Sequence, residues 1–272
     1  MGYEAKILCD SVSAGTGKRL TTFEVTYPRF VHAELMTHRL FSRNSASSRA
    51  IPIDKMIARV LDDPAMPVWW GKNQKGMQAE IEMDGAEQIV ARKLWLEARD
   101  QAVANARRLQ AVGVHKQLVN RVVEPWMWIT VIVSATEWSN FFALRCHLAA
   151  QPEIRCIADM MRTLHMSNTP SPVGSGSWHL PLQQPEDVDL SIADKIKVCT
   201  ARAARVSYLT HDGHRDIQAD LDLHDRLADS GHWSPFEHCA HATETPTRHG
   251  NYVGWYQYRK TFEQEHRGER MP

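Results

Sequence analysis

Apolar and polar positions alternate through TTFEVTY (21–27), the period of a strand buried on one face. Pro28 ends that pattern. In RFVHAELMTHRL (29–40), Phe30, Val31, Leu35 and Met36 recur at helical spacing and predict a short helix. The next stretch, THRLFSRNSASSRA (37–50), has no apolar period and reads as a loop. Over 78–112 the spacing of Ile81, Ile89, Leu94, Trp95, Ala98, Ala102, Leu109 and Val112 predicts a long helix, stopped by Gly113. LVNRVV (118–123) extends a second helix to Pro125. WITVIV (128–133) is β-branched and strand-like, with a buried helical turn as the other reading.

From Glu137 to Ala150 the helical period returns, and Pro152 suits the first turn of a further helix through Met161. SNTPSPVGSGSWHLPLQQPEDVD (167–189) is rich in Ser, Pro and Gly and reads as a linker. Helices follow around 192–206 and 219–230, the second closed by Gly231. The segment 246–272 gathers aromatics and charges in NYVGWYQYRKTF, a composition that suits a subunit contact. No internal repeat or heptad pattern emerges.

Composition narrows the classes. Lys plus Arg equals Asp plus Glu at 32 each, which argues against a protein that coats nucleic acid through phosphate charge. Apolar residues make up 43% of the 272, enough for a packed core. The five cysteines are odd in number with no CxxC pair, as expected for reduced thiols in a cytoplasmic setting. The start of the chain shows no signal-peptide pattern, and WMWITVIVSA (126–135) is too short for a spanning helix. A soluble protein with no membrane or DNA partner is expected.

Several familiar chemistries fail on spacing. AGTGKR (14–19) has Val12 and Arg19 where a phosphate loop needs Gly and Ser or Thr. His232, His238 and His241 cluster without HExxH or a nearby Cys pair, so no metal site is expected. Cys146 and His147 are adjacent, and helical neighbours diverge, so they make a poor nucleophile–base pair. Residues 37–50 remain, with Arg39 and Arg49 bracketing Ser42, Asn44, Ser47 and Ser48 and no carboxylate between them. Such a donor set suits a phosphate or carboxylate; a solvated Ser-rich loop is the plain alternative. Arg145 and Arg155 around AAQPEIR (149–155), ARAARVSY (201–208) and GHWSPFEH (231–238) add further donors.

These four segments resemble the ThyX family, the flavin-dependent thymidylate synthases. The family hallmark RHRxxSxNExSxRY stands here as THRLFSRNSASSRA, matched at His38, Arg39, Ser42, Asn44, Ser47 and Arg49. The family's AQWEIR appears as AQPEIR, preceded by NFFALR (140–145), and GVHKQLVNRVVEP (113–125) is similar to its helix ending in Arg and Pro. RAARVSY and GHWSPFEH match segments that precede the hallmark in ordinary members and follow it here. The resemblance therefore implies a circularly permuted chain, with 190–245 corresponding to the family's N-terminal part and the 167–189 linker as the new join. It implies a single α/β (α+β) domain with a mixed sheet and long helices, a homotetramer, FAD, NADPH as reductant and 5,10-methylenetetrahydrofolate as carbon donor.

Carried over residue by residue, Ser47 and Arg49 would hold the nucleotide phosphate, with Glu34, Ser45, Ser48 and Arg121 also in the nucleotide site. Arg145 would contact and polarise the pyrimidine, and Arg145 and Ser47 are the catalytic candidates. His38, Arg39, Asn140, His232, Ser234 and Glu237 match flavin-contacting positions. Departures are equally specific: Thr37 replaces the first hallmark Arg, Ser45 the Glu and Ala50 the Tyr. Glu34 replaces a Gln, and Ser134 and Thr136 replace an Asn and an Arg that help hold FAD. Three functions follow: thymidylate formation from dUMP; 5-hydroxymethylation of dUMP or dCMP for modified viral DNA, as in a bacteriophage; or an inactive nucleotide-binding protein.

Overall fold

The computed structural model describes residues 2–207 and 216–267. Tyr208 of the ARAARVSY segment and the last five residues of the tail lie outside them. The larger sheet comprises β1 (Glu4–Ser13), β2 (Arg19–Pro28), β3 (Ser42–Ser45), β4 (Trp128–Ala135) and β5 (Ser171–Val173), in the order β3-β4-β2-β1-β5. All its pairings are antiparallel except β1 with β5, so the sheet is mixed. Smaller sheets use β6 (Trp178–His179), β7 (Ala240–Ala242) and β10 (Trp255–Gln257), and the pair β8 (Arg248–His249) and β9 (Tyr252–Val253). The helices are α1 (His32–Met36), α2 (Ile53–Asp62), α3 (Gly85–Ala111), α4 (Lys116–Val119), α5 (Ser139–Arg145), α6 (Pro152–Ser167), α7 (Ile192–Ala204), α8 (Ile217–Asp229) and α9 (Glu263–Arg267).

Alternation on β2 and β4 divides the sheet into two faces. Phe23, Val25 and Tyr27 pair with Val133, Val131 and Ile129, all buried. This face packs against α6, whose Ile154, Ile157, Ala158 and Met161 recur at helical spacing and are fully enclosed. Each large apolar side chain there contributes about 1.5–3 kcal/mol by leaving water. The other face is mixed: Thr22 meets Ser134 at 2.6 Å and Thr26 meets Thr130 at 2.9 Å, while Ile132 packs with Leu182, Ala203 and Val206. A satellite core joins α2 and α3 through Met56, Val60, Val103 and Trp126.

The segment 37–50 is not wholly a loop, because β3 adds an edge strand to β4. Its residues carry no apolar period since the strand sits over polar neighbours: Ser42 opposes Ser134, and its hydroxyl accepts from Asn251 Nδ2 and Gln257 Nε2. The long helix begins at Gly85 rather than 78, where Asp84 and Glu87 form a capping box. Gly113 follows it at φ 84°, a left-handed conformation that glycine adopts without strain. The 167–189 segment is built into the fold, contributing β5, β6 and a turn of 3-10 helix at Pro185–Asp187. In the tail, Tyr252 and Trp255 are fully buried with Leu20, Ala240 and Ala242 and serve this chain's own core. At Gly254 (φ 75°) a β-carbon would stand 2.7 Å from Thr16 Oγ1. No helix among the described residues is long and apolar enough to cross a membrane.

Candidate functional site

Two groups of side chains assemble at opposite ends of α1. At its C-terminal end lies Arg145, the last residue of α5. Its Nε donates to His38 Nε2 at 3.0 Å and its Nη1 to Glu34 Oε2 at 2.5 Å. Its Nη2 donates to the Glu34 carbonyl at 3.1 Å and to Thr37 Oγ1 at 3.0 Å. A guanidinium has no lone pair to offer, so His38 Nε2 is the acceptor and the ring is neutral with its proton on Nδ1. Burial, with Arg145 and Arg43 nearby, lowers the His38 pKa to about 4. Phe41 stacks on the imidazole and Phe141 meets it edge-on. Arg43 donates to the carbonyl of Met36 at 2.9 Å, closing the same helix end.

At the other end, Glu124 gathers three partners on Oε1: Ser48 Oγ at 3.1 Å, Arg121 Nη1 at 2.8 Å and Arg29 Nε at 3.0 Å. Asn120 Nδ2 donates to the carbonyls of Ser48 (2.7 Å) and Ile51 (2.9 Å), and Lys116 Nζ to that of Ala50 (3.2 Å). These bonds hold the turn from which Arg49 emerges. Arg49 is exposed and has no polar side-chain partner among the described residues. His32 links this group to β3, with Nδ1 at 2.8 Å from Tyr27 OH and Nε2 at 3.5 Å from Ser45 Oγ. A cavity of about 270 Å³ opens beside the turn, lined by Ala46, Ser48, Arg59, Trp126, Trp128 and Val206 among others.

The structure thus joins Ser48 with Arg121, and Glu34 with Arg145, but keeps the two pairs apart. Ser47 lies in the turn after β3. Sequence reasoning missed Glu124 and Asn120, although Asn120 precedes the predicted Arg121; its buried polar role has no periodic signature. It also missed Arg43, which occupies an unspecified hallmark position and serves α1.

The remaining candidates surround the hallmark segment. Arg39 and Asn140 are exposed and unpartnered among the described residues. Ser234 lies against β3: with the Asn44 amide turned end for end, its nitrogen faces the Ser234 hydroxyl at 3.3 Å and carbonyl at 3.2 Å. His232 is exposed, with Nδ1 at 2.9 Å from Ser230 Oγ, and the Glu237 carboxylate receives Arg259 Nη1 at 2.5 Å. Ser134 bonds Thr22 and His238 Nδ1, and Thr136 Oγ1 accepts from the Val253 amide at 3.1 Å. Those two positions are therefore engaged by the chain itself. Arg39, Asn140, His232 and Ser234 are the donors among these candidates, and the Glu237 carboxylate is paired with Arg259. That chemistry fits the anionic, polar reach of a flavin dinucleotide.

His238 and His241, from the sequence cluster, separate: His238 is buried, and His241 stacks on Tyr256. Burial and Asp159 raise the Cys146 thiol to about 11, leaving it a poor nucleophile.

Residues 20–171, more than half of the chain, match the model of the family described as thymidylate synthase complementing protein. The chain belongs to the flavin-dependent thymidylate synthase family. It is an enzyme of that type, and the family's reaction is one-carbon transfer onto a pyrimidine monophosphate. The matched span contains the hallmark segment, Arg121 and Arg145; RAARVSY and GHWSPFEH lie beyond it. Among solved structures, the chain is similar to a UMP/dUMP methylase, PolB from Streptomyces cacaoi, bound with 5-Br dUMP. That comparison has TM-score 0.49 and 16% identity over 59% of this chain and 88% of the other. The same methylase bound with 5-Br UMP matches at TM-score 0.48 and 17% identity, over 59% and 87%. No curated protein matches the sequence.

Proposed function

We propose that this enzyme transfers the one-carbon unit of methylenetetrahydrofolate to C5 of a deoxypyrimidine monophosphate, forming dTMP from dUMP. The observation that carries this reading is the engagement of Arg145 with His38 of the hallmark segment at 3.0 Å, which joins two distant stretches that the family resemblance assigns to one site. Arg49 and Ser47, with Ser45 beside His32 and with Ser48 and Arg121 on Glu124, take the phosphate end. Arg145 takes the pyrimidine, donating an N–H to an oxygen on which charge grows as C5 becomes nucleophilic. His38, Arg39, Asn140, His232, Ser234 and Glu237 border the flavin. When bound, the flavin supplies the two electrons that convert the transferred methylene into a methyl group, with NADPH as their source.

The chain order is part of the proposal. The Asn44 side chain lies against Ser234, and Ile132 on β4 packs with Ala203 and Val206. The RAARVS and SPFE segments thus border the hallmark strand although they follow it in sequence. This supports a single, circularly permuted domain joined through 167–189; the tetramer follows only from the family resemblance.

The test is mass spectrometry of products after incubation with methylenetetrahydrofolate and either dUMP or dCMP, with and without NADPH and FAD. A methyl increment on dUMP that requires NADPH is expected. A hydroxymethyl increment without net NADPH use would replace this reading with hydroxymethylation, the methylene being trapped by water. No increment on either nucleotide would reject the transferase assignment for these substrates.

A further inference from the structure

Glu34 replaces a glutamine in the family pattern, and its surroundings give it a specific task. Arg145 ends a seven-residue helix, so a long side chain leaves the backbone where little else restrains it. Four of its five N–H groups are nevertheless bonded, and every acceptor belongs to residues 34–38. The Glu34 carboxylate supplies the single charged acceptor. Two guanidiniums meet at this helix end, since Arg43 bonds the carbonyl of Met36 while Arg145 bonds that of Glu34. A negative charge between residues 34 and 38 offsets that crowding. The ion pair sits at the solvent rim, with side-chain exposures of 33% for Glu34 and 17% for Arg145. Such a pair adds little to global stability. Its geometry is multidentate all the same, as expected where orientation matters.

We propose that Glu34 is a positioning residue that, with the neutral imidazole of His38, holds Arg145 in place and leaves it one N–H to offer the pyrimidine. This rests on the assignment of Arg145 to the pyrimidine made above, and it makes Glu34 act through Arg145 rather than on the nucleotide itself. Glutamine at this position keeps an acceptor for Nη1 without the charge; alanine keeps neither.

The experiment combines three readouts on the full-length protein: product formation, calorimetric Kd for dUMP and dCMP, and a crystal structure of the Glu34→Ala protein. Glu34→Ala is expected to lower turnover by about tenfold or more, the scale of a small misplacement of a reacting group. Glu34→Gln is expected to recover to within about threefold, because the acceptor is restored. In Kd, the penalties of Glu34→Ala and Arg145→Ala should not add, since the first acts through the second. The crystal structure should show Arg145 displaced from His38 and Thr37. Wild-type turnover in Glu34→Ala, additive Kd penalties, or an undisplaced Arg145 in that crystal would each overturn the proposal. Should wild-type protein form no product, the reaction assignment fails, while the Kd cycle and the crystal structure still judge Glu34.

Discussion

Two arginines in this molecule are each held by four hydrogen bonds, and they stand in opposite surroundings. Arg202, on α7, bonds Asp187 through both terminal nitrogens (2.5 and 2.9 Å), Asp220 at 3.3 Å and the Leu182 carbonyl at 3.0 Å. Its side chain is 3% exposed, and its two carboxylates 1% and 6%. Arg145 has one carboxylate, a neutral imidazole and an open rim. The first arrangement encloses charge completely and knits the 182–187 segment to α7 and α8. The second leaves the guanidinium within reach of solvent and of a ligand. Hydrogen-bond number does not separate a structural arginine from a functional one; enclosure and the count of compensating charges do.

Removing each arginine tests that contrast most strongly. Arg202→Ala leaves Asp187 and Asp220 buried without their shared partner and should cost about 3–5 kcal/mol in urea unfolding. Arg145→Ala should cost less than about 1 kcal/mol, as a rim-exposed pair does, while abolishing product formation. Equal stability losses would erase the distinction.

Arg49 extends the comparison to an arginine with no polar partner among the described residues. Arg49→Ala should leave the unfolding midpoint unchanged but weaken nucleotide binding by about 1.5–3 kcal/mol, the worth of a charge-assisted hydrogen bond. Calorimetry showing unaltered Kd would remove it from the phosphate site.

The last contrast concerns neutral groups, read as a slope against pH. His32 and His38 have pKa values lowered to about 4, and His179 and His238 to about 3, all chiefly by burial. Between pH 6.5 and 4 the unfolded chain binds protons at these rings and the folded chain does not. Stability therefore falls as pH drops through that window, by up to about 1.4 kcal/mol per pH unit for each histidine. His179 sits in a buried chain, with Thr22 at 2.8 Å and Ser11 at 2.9 Å. His179→Gln should flatten the slope measured by urea unfolding from pH 7 to 4.5; an unchanged slope would exclude His179 as a contributor.

Much of the fold was legible because it is periodic. β2 shows its buried face as alternation, α6 shows its as helical spacing and β4 shows as a β-branched run, while Gly113 and Gly231 mark helix ends by conformational freedom. The hallmark segment was legible as chemistry, a run of donors with no carboxylate, but not as structure. An edge strand over Ser134 and Gln257 needs no apolar alternation, so β3 left no trace in the pattern. In the 167–189 segment composition read as a linker but did not show its structure, because Ser, Pro and Gly also suit the short strands β5 and β6 and turns held by Arg202.

The sequence by itself determined the central strands, the principal helices and the family, since these reside in local periodicity and in motifs that survive without context. Tertiary structure alone decided which polar side chains meet. Glu34 sits on α1 and Arg145 on α5; Asp187 lies in a presumed linker and Arg202 on α7. Whether such charges become a rim-exposed clamp or an enclosed one depends on how much protein closes around them, and solvent exclusion is a property of the folded whole.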